Sequence, residues 1–388
     1  VLESLGRTAG YCLFACATSG HDRVVFFTAS GMRPQITVAD RHGFDTIIDA
    51  RSPGEFAIDH IPGAINCPVL DDEERRIVGT LYKQQGSFEA KRVGGAMVAA
   101  NLARHIREKF ADKPSTWKPM VYCWRGGMRS GSMTTWLRLV GWDAQQLPGG
   151  YKGWRRHVIA LIDRLSADLP FVVICGATGN AKTRILQALA AQGEQVLDLE
   201  GLACHKGSLL GAMPGQPQPS QTAFETRLAS VLEGVDLKRP LYVEGESRRI
   251  GQINVPVQLV ERMRSSPCIE IEATTDARVE YLLRDYNYLG DKPDWLAERI
   301  GILKELHGKE TIARWQAWAM ARDLPPLFRE LAVQHYDPAY NRSQRNNFRR
   351  WEQRQVISTT DLSPAAVELL ARNVTALAVA PAPTAALA

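Results

Sequence analysis

The sequence predicts an α/β fold: two parallel-sheet units in tandem, then a helical C-terminal region. Three observations carry that expectation. Short apolar runs recur along the chain, at residues 46–50, 119–122, 171–175 and 241–244. Turns rich in Gly, Ser or Pro follow several of them, and amphipathic helical stretches come after the turns. Strands that alternate with helices form a parallel sheet, whose functional loops lie beyond the strand C-termini. The 388 residues leave room for two or three domains.

Residues 1–38 show no period and read as an appendage. Within them Leu13-Phe14-Ala15-Cys16 faintly resembles a lipoprotein cleavage site, but the apolar stretch is short and only Arg7 precedes it. Export is therefore not expected. The first unit, 39–160, holds strands at 46–50 and 119–122 and a turn into another strand at 61–66; its helices are expected over 95–110 and 130–140. The second unit, 168–294, holds strands at 171–175, 195–199, 241–244 and 266–271, a helix over 184–192, and a Pro/Gln-rich mobile loop at 213–220. Residues 295–375 read as helical and tryptophan-rich, and 376–388 as a low-complexity, disordered tail.

Composition excludes several classes. Hydrophobic content of 45% with 23% charged residues is that of a water-soluble globular chain. No apolar run approaches the roughly 18 residues that cross a bilayer. Seven cysteines without paired spacing make neither a disulfide framework nor a zinc site. They suit a reducing cytoplasm, the expected location. A net charge of +5 permits a nucleic-acid partner without demanding one. Arginines concentrate late, at Arg342, Arg345, Arg349, Arg350 and Arg354.

Two loops carry chemistry. In the first unit Tyr122-Cys123-Trp124-Arg125-Gly126-Gly127-Met128-Arg129-Ser130 joins a strand to a helix. Such a turn can aim backbone N–H groups inward as an anion nest, and the helix adds its positive end. That setting favours a cysteine thiolate. The Cys-x5-Arg spacing therefore reads as a nucleophilic sulfur over an anion site, with Arg125, Gly126, Gly127, Met128, Arg129 and Ser130 around it. Sulfur-transfer enzymes and cysteine phosphatases both use this spacing. Asp49 closes the neighbouring strand at the same sheet edge and joins Cys123 as a catalytic candidate.

In the second unit Gly176-Ala177-Thr178-Gly179-Asn180-Ala181-Lys182-Thr183 follows a strand and opens a helix. This is the P-loop pattern, with Ala181 where the last glycine belongs. Gly176, Gly179, Lys182 and Thr183 are the expected phosphate ligands, and a magnesium ion can join at Thr183. A Cβ at Ala181 is expected to crowd a backbone that wraps phosphate. Glu244, Glu246, Ser247 and Arg248 follow the next strand as candidates for metal or substrate contact.

The ordered string of motifs resembles the bacterial tRNA 2-selenouridine synthases, in which a rhodanese-like domain precedes a P-loop domain. The resemblance runs from about residue 40 to 355. It rests on Asp49-Ala50-Arg51-Ser52-Pro53-Gly54-Glu55-Phe56, Gly79-Thr80-Leu81-Tyr82-Lys83-Gln84-Gln85-Gly86, the Cys123 loop and Gly149-Gly150-Tyr151-Lys152. Further along it rests on Asp198-Leu199-Glu200-Gly201-Leu202-Ala203, Glu244-Gly245-Glu246-Ser247-Arg248 and Tyr336-Asp337-Pro338-Ala339-Tyr340.

The resemblance implies an enzyme that geranylates 2-thiouridine at the tRNA wobble position (U34) with geranyl diphosphate, then replaces the geranylated sulfur with selenium from selenophosphate. It implies that Cys123 takes or relays selenium while Arg125, Arg129 and the loop amides hold selenophosphate, and that Gly86 belongs to the selenium step. The P-loop would hold the diphosphate. Arg249, Arg342, Arg345, Arg349 and Arg350 are the expected tRNA contacts, with Trp315, Trp318 and Trp351 either stacking on bases or sitting in the core. The implied partners are tRNAs for Lys, Glu and Gln and a selenophosphate-supplying enzyme; the chain itself is expected as a monomer. No metal site and no tightly bound cofactor is expected. Tyr122 stands where some relatives place another cysteine, so this loop has no second thiol. The rival readings are a Cys-x5-Arg phosphatase, a plain rhodanese-type sulfurtransferase and a non-catalytic tRNA-binding module.

Overall fold

A computed structural model describes residues 35–212, 215–245 and 247–379. Most of the expected appendage, Glu246 and the last residues of the expected tail lie outside the described residues. The first sheet holds β1 (Thr46–Asp49), β2 (Ala64–Asn66), β3 (Pro119–Tyr122) and β4 (Gln145–Gln146). Its order is β2-β1-β3-β4, and every pair is parallel. Asp49 lies level with Tyr122, so the chain leaves β1 and β3 at the same edge. That register brings Asp49 and Cys123 to one end of the sheet.

The second sheet is built from β5 (Phe171–Cys175), β6 (Gln195–Leu197), β7 (Leu241–Glu244), β10 (Cys268–Ala273) and β11 (Gln355–Thr359). A small antiparallel hairpin, β8 (Arg249–Ile250) and β9 (Ile253–Asn254), stands apart. The order β11-β10-β5-β7-β6 is parallel throughout. Every residue of β5 and β7 is buried, as central strands covered by helices on both faces require.

The C-terminal region departs from the helical expectation. Residues 355–359 form the edge strand β11 beside β10, and helix Pro364–Val379 packs back on the same unit. That helix also runs past residue 376, where the disordered tail was expected to begin. Helices Pro293–Gly301, Lys309–Met320 and Leu324–Glu330 instead build a separate core around the fully buried Trp315. The described part of the expected mobile loop is also tied down. Gln218 donates its amide to Ala203 O and Ile250 O at 3.1 and 3.0 Å and accepts from Gln252 N–H.

One core runs through both sheet units. Helix Gly150–Ser166 carries it across: Trp154 is 1% exposed, and its indole N–H reaches Thr226 Oγ1 at 3.2 Å. Asp59 of the first unit accepts from Tyr151 and from Thr226, the latter on helix Gln221–Glu233 of the second.

Candidate functional site

β3 ends at Tyr122, and Cys123 follows it in the turn before helix Met128–Val140. Two donors converge on its Sγ: Gly127 N–H at 3.3 Å and the Ser130 hydroxyl at 3.1 Å. Gln146 locks the turn from β4, donating its amide to Gly126 O at 2.8 Å, Gly127 O at 3.0 Å and Ser130 Oγ at 2.9 Å. The start of helix Gly150–Ser166 forms the floor. There Tyr151 N–H bonds Cys123 O at 2.8 Å and Lys152 N–H bonds Trp124 O at 3.0 Å.

This floor admits only glycine at 150. Gly150 has φ +51°, and a Cβ there would lie 2.2 Å from Cys123 O and 2.6 Å from Gly126 N. Gly150→Ala is therefore expected to cost roughly 3 kcal/mol through overpacking and left-handed strain. A fall in melting temperature with loss of any Cys123-dependent turnover checks it.

The charged groups near this loop differ from expectation. Arg129 does not face the nest with a free guanidinium. It grips Glu55, Nη1 to Oε2 at 2.6 Å and Nη2 to Oε1 at 3.3 Å, and Arg75 adds a contact at 2.9 Å. Burial pushes the Glu55 carboxyl up, but its hydrogen bond with Arg129 and the charges of Arg129 and Arg75 outweigh this and hold it below the usual range. Glu55 thus holds the Nη1 and Nη2 ends of this guanidinium. Arg125 and Met128 are exposed at the loop surface.

Asp49 also differs from the catalytic role expected. Its carboxylate is fully buried and both oxygens bind Arg51, at 2.6 to 3.0 Å. The geometry makes it the anchor of Arg51. Gly86, with φ +91°, forms the exposed elbow between helices Asp72–Gln84 and Ser87–Lys109, and among the described residues no hydrogen bond of the Cys123 loop involves it.

The second loop lines a cleft of about 360 Å³ between the P-loop and the helical region. Lys182 Nζ bonds Gly176 O at 2.8 Å, and Thr183 Oγ1 donates to Glu200 Oε2 at 2.8 Å. Glu244 accepts from Glu200 N–H at 2.8 Å. Of the residues that brace this loop, Asp337 and Tyr340 stand in the motif at 336–340 without a role assigned, and the sequence patterns did not single out Arg278. Arg278 is 5% exposed, donates twice to Thr178 O and pairs with Asp337 at 2.6 Å. The Tyr340 hydroxyl accepts from Gly176 N–H. Lys206 supplies a second cation to the cleft, paired with Asp285 and 4.2 Å from the centre of the Tyr286 ring.

Breaking the Arg278 brace strands Thr178 O and the Asp337 carboxylate together. Arg278→Met is expected to cost about 3 kcal/mol, with a lower melting temperature as the measurement.

Ala181 lines this cleft as well. It adopts φ +54°, the left-handed conformation that glycine usually fills, yet it belongs to the buried core under the helix. The alanine costs about 1 kcal/mol of left-handed strain. Glycine would cost roughly 0.5–1 kcal/mol in chain entropy and lose a buried methyl worth about 0.8 kcal/mol. The terms nearly cancel, so alanine is tolerated while the loop keeps its turn.

Residues 38–157 match the family model described as a rhodanese-like domain, and residues 169–298 that of the tRNA 2-selenouridine synthase AAA domain. A protein of Cupriavidus pinatubonensis named tRNA 2-selenouridine synthase is 39% identical over 285 residues, covering 72% of this chain and 75% of that protein. One of the same name from Chromohalobacter salexigens is 33% identical over 339 residues, 80% of this chain and 90% of the relative. The chain belongs to the tRNA 2-selenouridine synthase family. Against the relative of that name in Nitrosomonas europaea, at 40% identity, the match spans 63% of the relative's length and 62% of this chain.

Other candidates of this family member fall in two places. Ser247 lines the P-loop cleft, with its hydroxyl donating to Arg249 O at 2.6 Å, and Arg248 and Arg249 are exposed beside it. Arg342 and Arg345 are exposed on helix Asp337–Asn347, whereas Arg349 pairs with Glu261 at 3.0 Å and Arg350 leans on Gln353. Trp315 and Trp351 are core residues, 0% and 5% exposed, which removes them as stacking platforms. Among the described residues no helix is long and apolar enough to cross a membrane.

Proposed function

We propose that this chain converts 2-thiouridine at the tRNA wobble position to 2-selenouridine in two steps, with geranyl diphosphate and selenophosphate as co-substrates. The observation that carries the reading is the pairing, in one molecule, of a donor-lined cysteine turn with a separate P-loop cleft. The two co-substrates are both anions but differ in shape, and the two loops differ correspondingly. One is a tight nest with a thiol, and the other is a cleft with Lys182, Lys206 and an aromatic wall of Tyr281, Tyr286 and Tyr340.

In the first step the thiocarbonyl sulfur attacks the first carbon of the geranyl group. The carbon–oxygen bond breaks and diphosphate leaves, its charge offset by Lys182 and by Thr183, where magnesium would also bind. Alkylation turns a poor leaving group into a better one. In the second step the selenium of selenophosphate, held at the Cys123 nest, attacks the same pyrimidine carbon. Geranylthiolate departs, taking a proton to leave as geranylthiol. Water then cleaves the phosphorus–selenium bond, releasing phosphate and leaving 2-selenouridine, with Cys123 beside the selenium donor. Arg125 is placed to meet the anion directly; Arg129 joins after releasing Glu55. Gly86 and the exposed Arg248, Arg249, Arg342 and Arg345 belong to this reading as selenium-step and RNA contacts. The partners are then tRNA and an enzyme that supplies selenophosphate, in the cytoplasm.

The test is nucleoside mass spectrometry of an anticodon stem-loop carrying 2-thiouridine, incubated with the protein and each co-substrate in turn. Geranyl-thiouridine with geranyl diphosphate alone, and selenouridine once selenophosphate is added, are the expected products. Hydrolysis of an aryl phosphate without RNA modification would favour the phosphatase reading instead.

A further inference from the structure

We infer that Trp124 is the stacking platform for the RNA base beside Cys123, the top of a column built from Arg51, Tyr151 and Trp124. The inference rests on the function proposed above and names how one nucleobase is held there.

The column is laid down from the core outward. Asp49 fixes Arg51, which is 1% exposed and also donates to Asp59 O at 2.7 Å. The Arg51 guanidinium lies 4.0 Å from the centre of the Tyr151 ring. Tyr151 is held at its other end by Asp59, which accepts from its hydroxyl at 2.8 Å. Trp124 stacks on Tyr151 with centroids 5.3 Å apart and planes 28° from parallel. Its backbone is pinned as well, through Lys152 N–H to Trp124 O at 3.0 Å. Every member is therefore fixed before a ligand arrives.

Trp124 nevertheless remains 40% exposed, immediately after the candidate nucleophile. An indole pinned beside the candidate nucleophile with part of its surface in water is available to stack on a base. The other tryptophans do not offer this. Trp117, Trp142, Trp154, Trp315 and Trp351 are buried. Trp295 and Trp318 are half-buried, with Arg299 and Arg314 over their rings at 5.3 and 5.6 Å. Trp136, though exposed, lies on helix Met128–Val140 away from any stack found among the described residues. A buried ion pair such as Asp49–Arg51 is costly to desolvate. Holding Tyr151, and through it the indole, gives that pair a purpose beyond the fold. An unstacked pyrimidine fits the platform: single-stranded bases bind aromatic faces readily, and a base must leave its own stack to be modified.

The experiment is a binding cycle with two RNAs: an anticodon stem-loop carrying S-geranyl-2-thiouridine at the wobble position, and the same stem-loop abasic there. For the unaltered protein, removal of the base is expected to weaken binding about tenfold. In Trp124→Leu both RNAs should bind equally weakly, and Trp124→Phe should restore most of the difference. KM for the geranylated RNA should rise about tenfold in Trp124→Leu, with kcat changed far less. An abasic penalty that persists undiminished in Trp124→Leu overturns the platform and leaves Trp124 a packing residue for Tyr151. Because the cycle reads binding alone, it judges the platform separately from turnover. An unaltered protein that forms no selenouridine would sink the proposed function, whatever the cycle shows.

Discussion

Lys182→Ala is expected to lower prenyl transfer to 2-thiouridine RNA by at least about 100-fold, while selenation of RNA already geranylated proceeds nearly unchanged. The argument begins with where the ammonium sits. Lys182 is the first residue of the helix that follows the P-loop, and Nζ is hydrogen-bonded to Gly176 O, the carbonyl at the start of that loop. This neutral partner is easily exchanged for a diphosphate oxygen, which is charged and more strongly held. Charge on the leaving group grows as the carbon–oxygen bond breaks, so the ammonium contributes more in the transition state than in the bound substrate. The loss should therefore fall mainly on kcat. Lys182 is only half-buried, so truncation to alanine should leave the melting temperature close to that of the unaltered chain. Equal loss of both half-reactions would show that one site serves both, and the division of labour between the two loops would fall.

The two loops were legible in the sequence because each is a local object. A strand, a glycine turn and a helix lie within a few residues of one another, and Cys123, Lys182 and Thr183 declare their chemistry by spacing alone. The pairings that brace them were not legible, although Glu55 and Tyr340 stand in motifs that carry the resemblance, because each partner arrives from far along the chain. Glu55 meets Arg129 across 74 positions, Arg278 reaches Thr178 across 100, and Tyr340 meets Gly176 across 164. No periodicity reports such pairs. Strand β11 was missed for a related reason. Its five residues alternate between half-buried and exposed as an edge strand does, but only pairing with β10 gives so short a run its identity. Ala181 shows a related limit. Its spacing marked it as a residue beside phosphate, and it does line the cleft, but the left-handed turn that also lets it pack in the core was not legible.

Cys123→Ala is expected to abolish selenouridine formation and to leave geranylation intact, the mirror image of Lys182→Ala. The sulfur is buried, 3% exposed, and accepts hydrogen bonds from Gly127 N–H and Ser130 Oγ. Alanine removes one small atom from a turn whose backbone is held independently by Gln146, Tyr151 and Lys152. The stability cost should stay near 1 kcal/mol, too little to unfold the domain. A loss of selenation in a well-folded protein would then report the chemistry of the thiol. Ser130→Ala separates support from reaction: the sulfur keeps one of its two donors, and the selenium step should slow by about tenfold while still running to product. Intact-protein mass spectrometry after exposure to selenophosphate completes the test. Selenophosphate carries selenide-level selenium, which bonds to a thiol sulfur only with loss of two electrons, so without an oxidant no adduct is expected on either protein. An adduct on neither protein, with selenation still lost in the variant, would assign Cys123 to holding the donor, since the same two hydrogen bonds that stabilise a sulfur anion can equally fix the nest around an oxyanion.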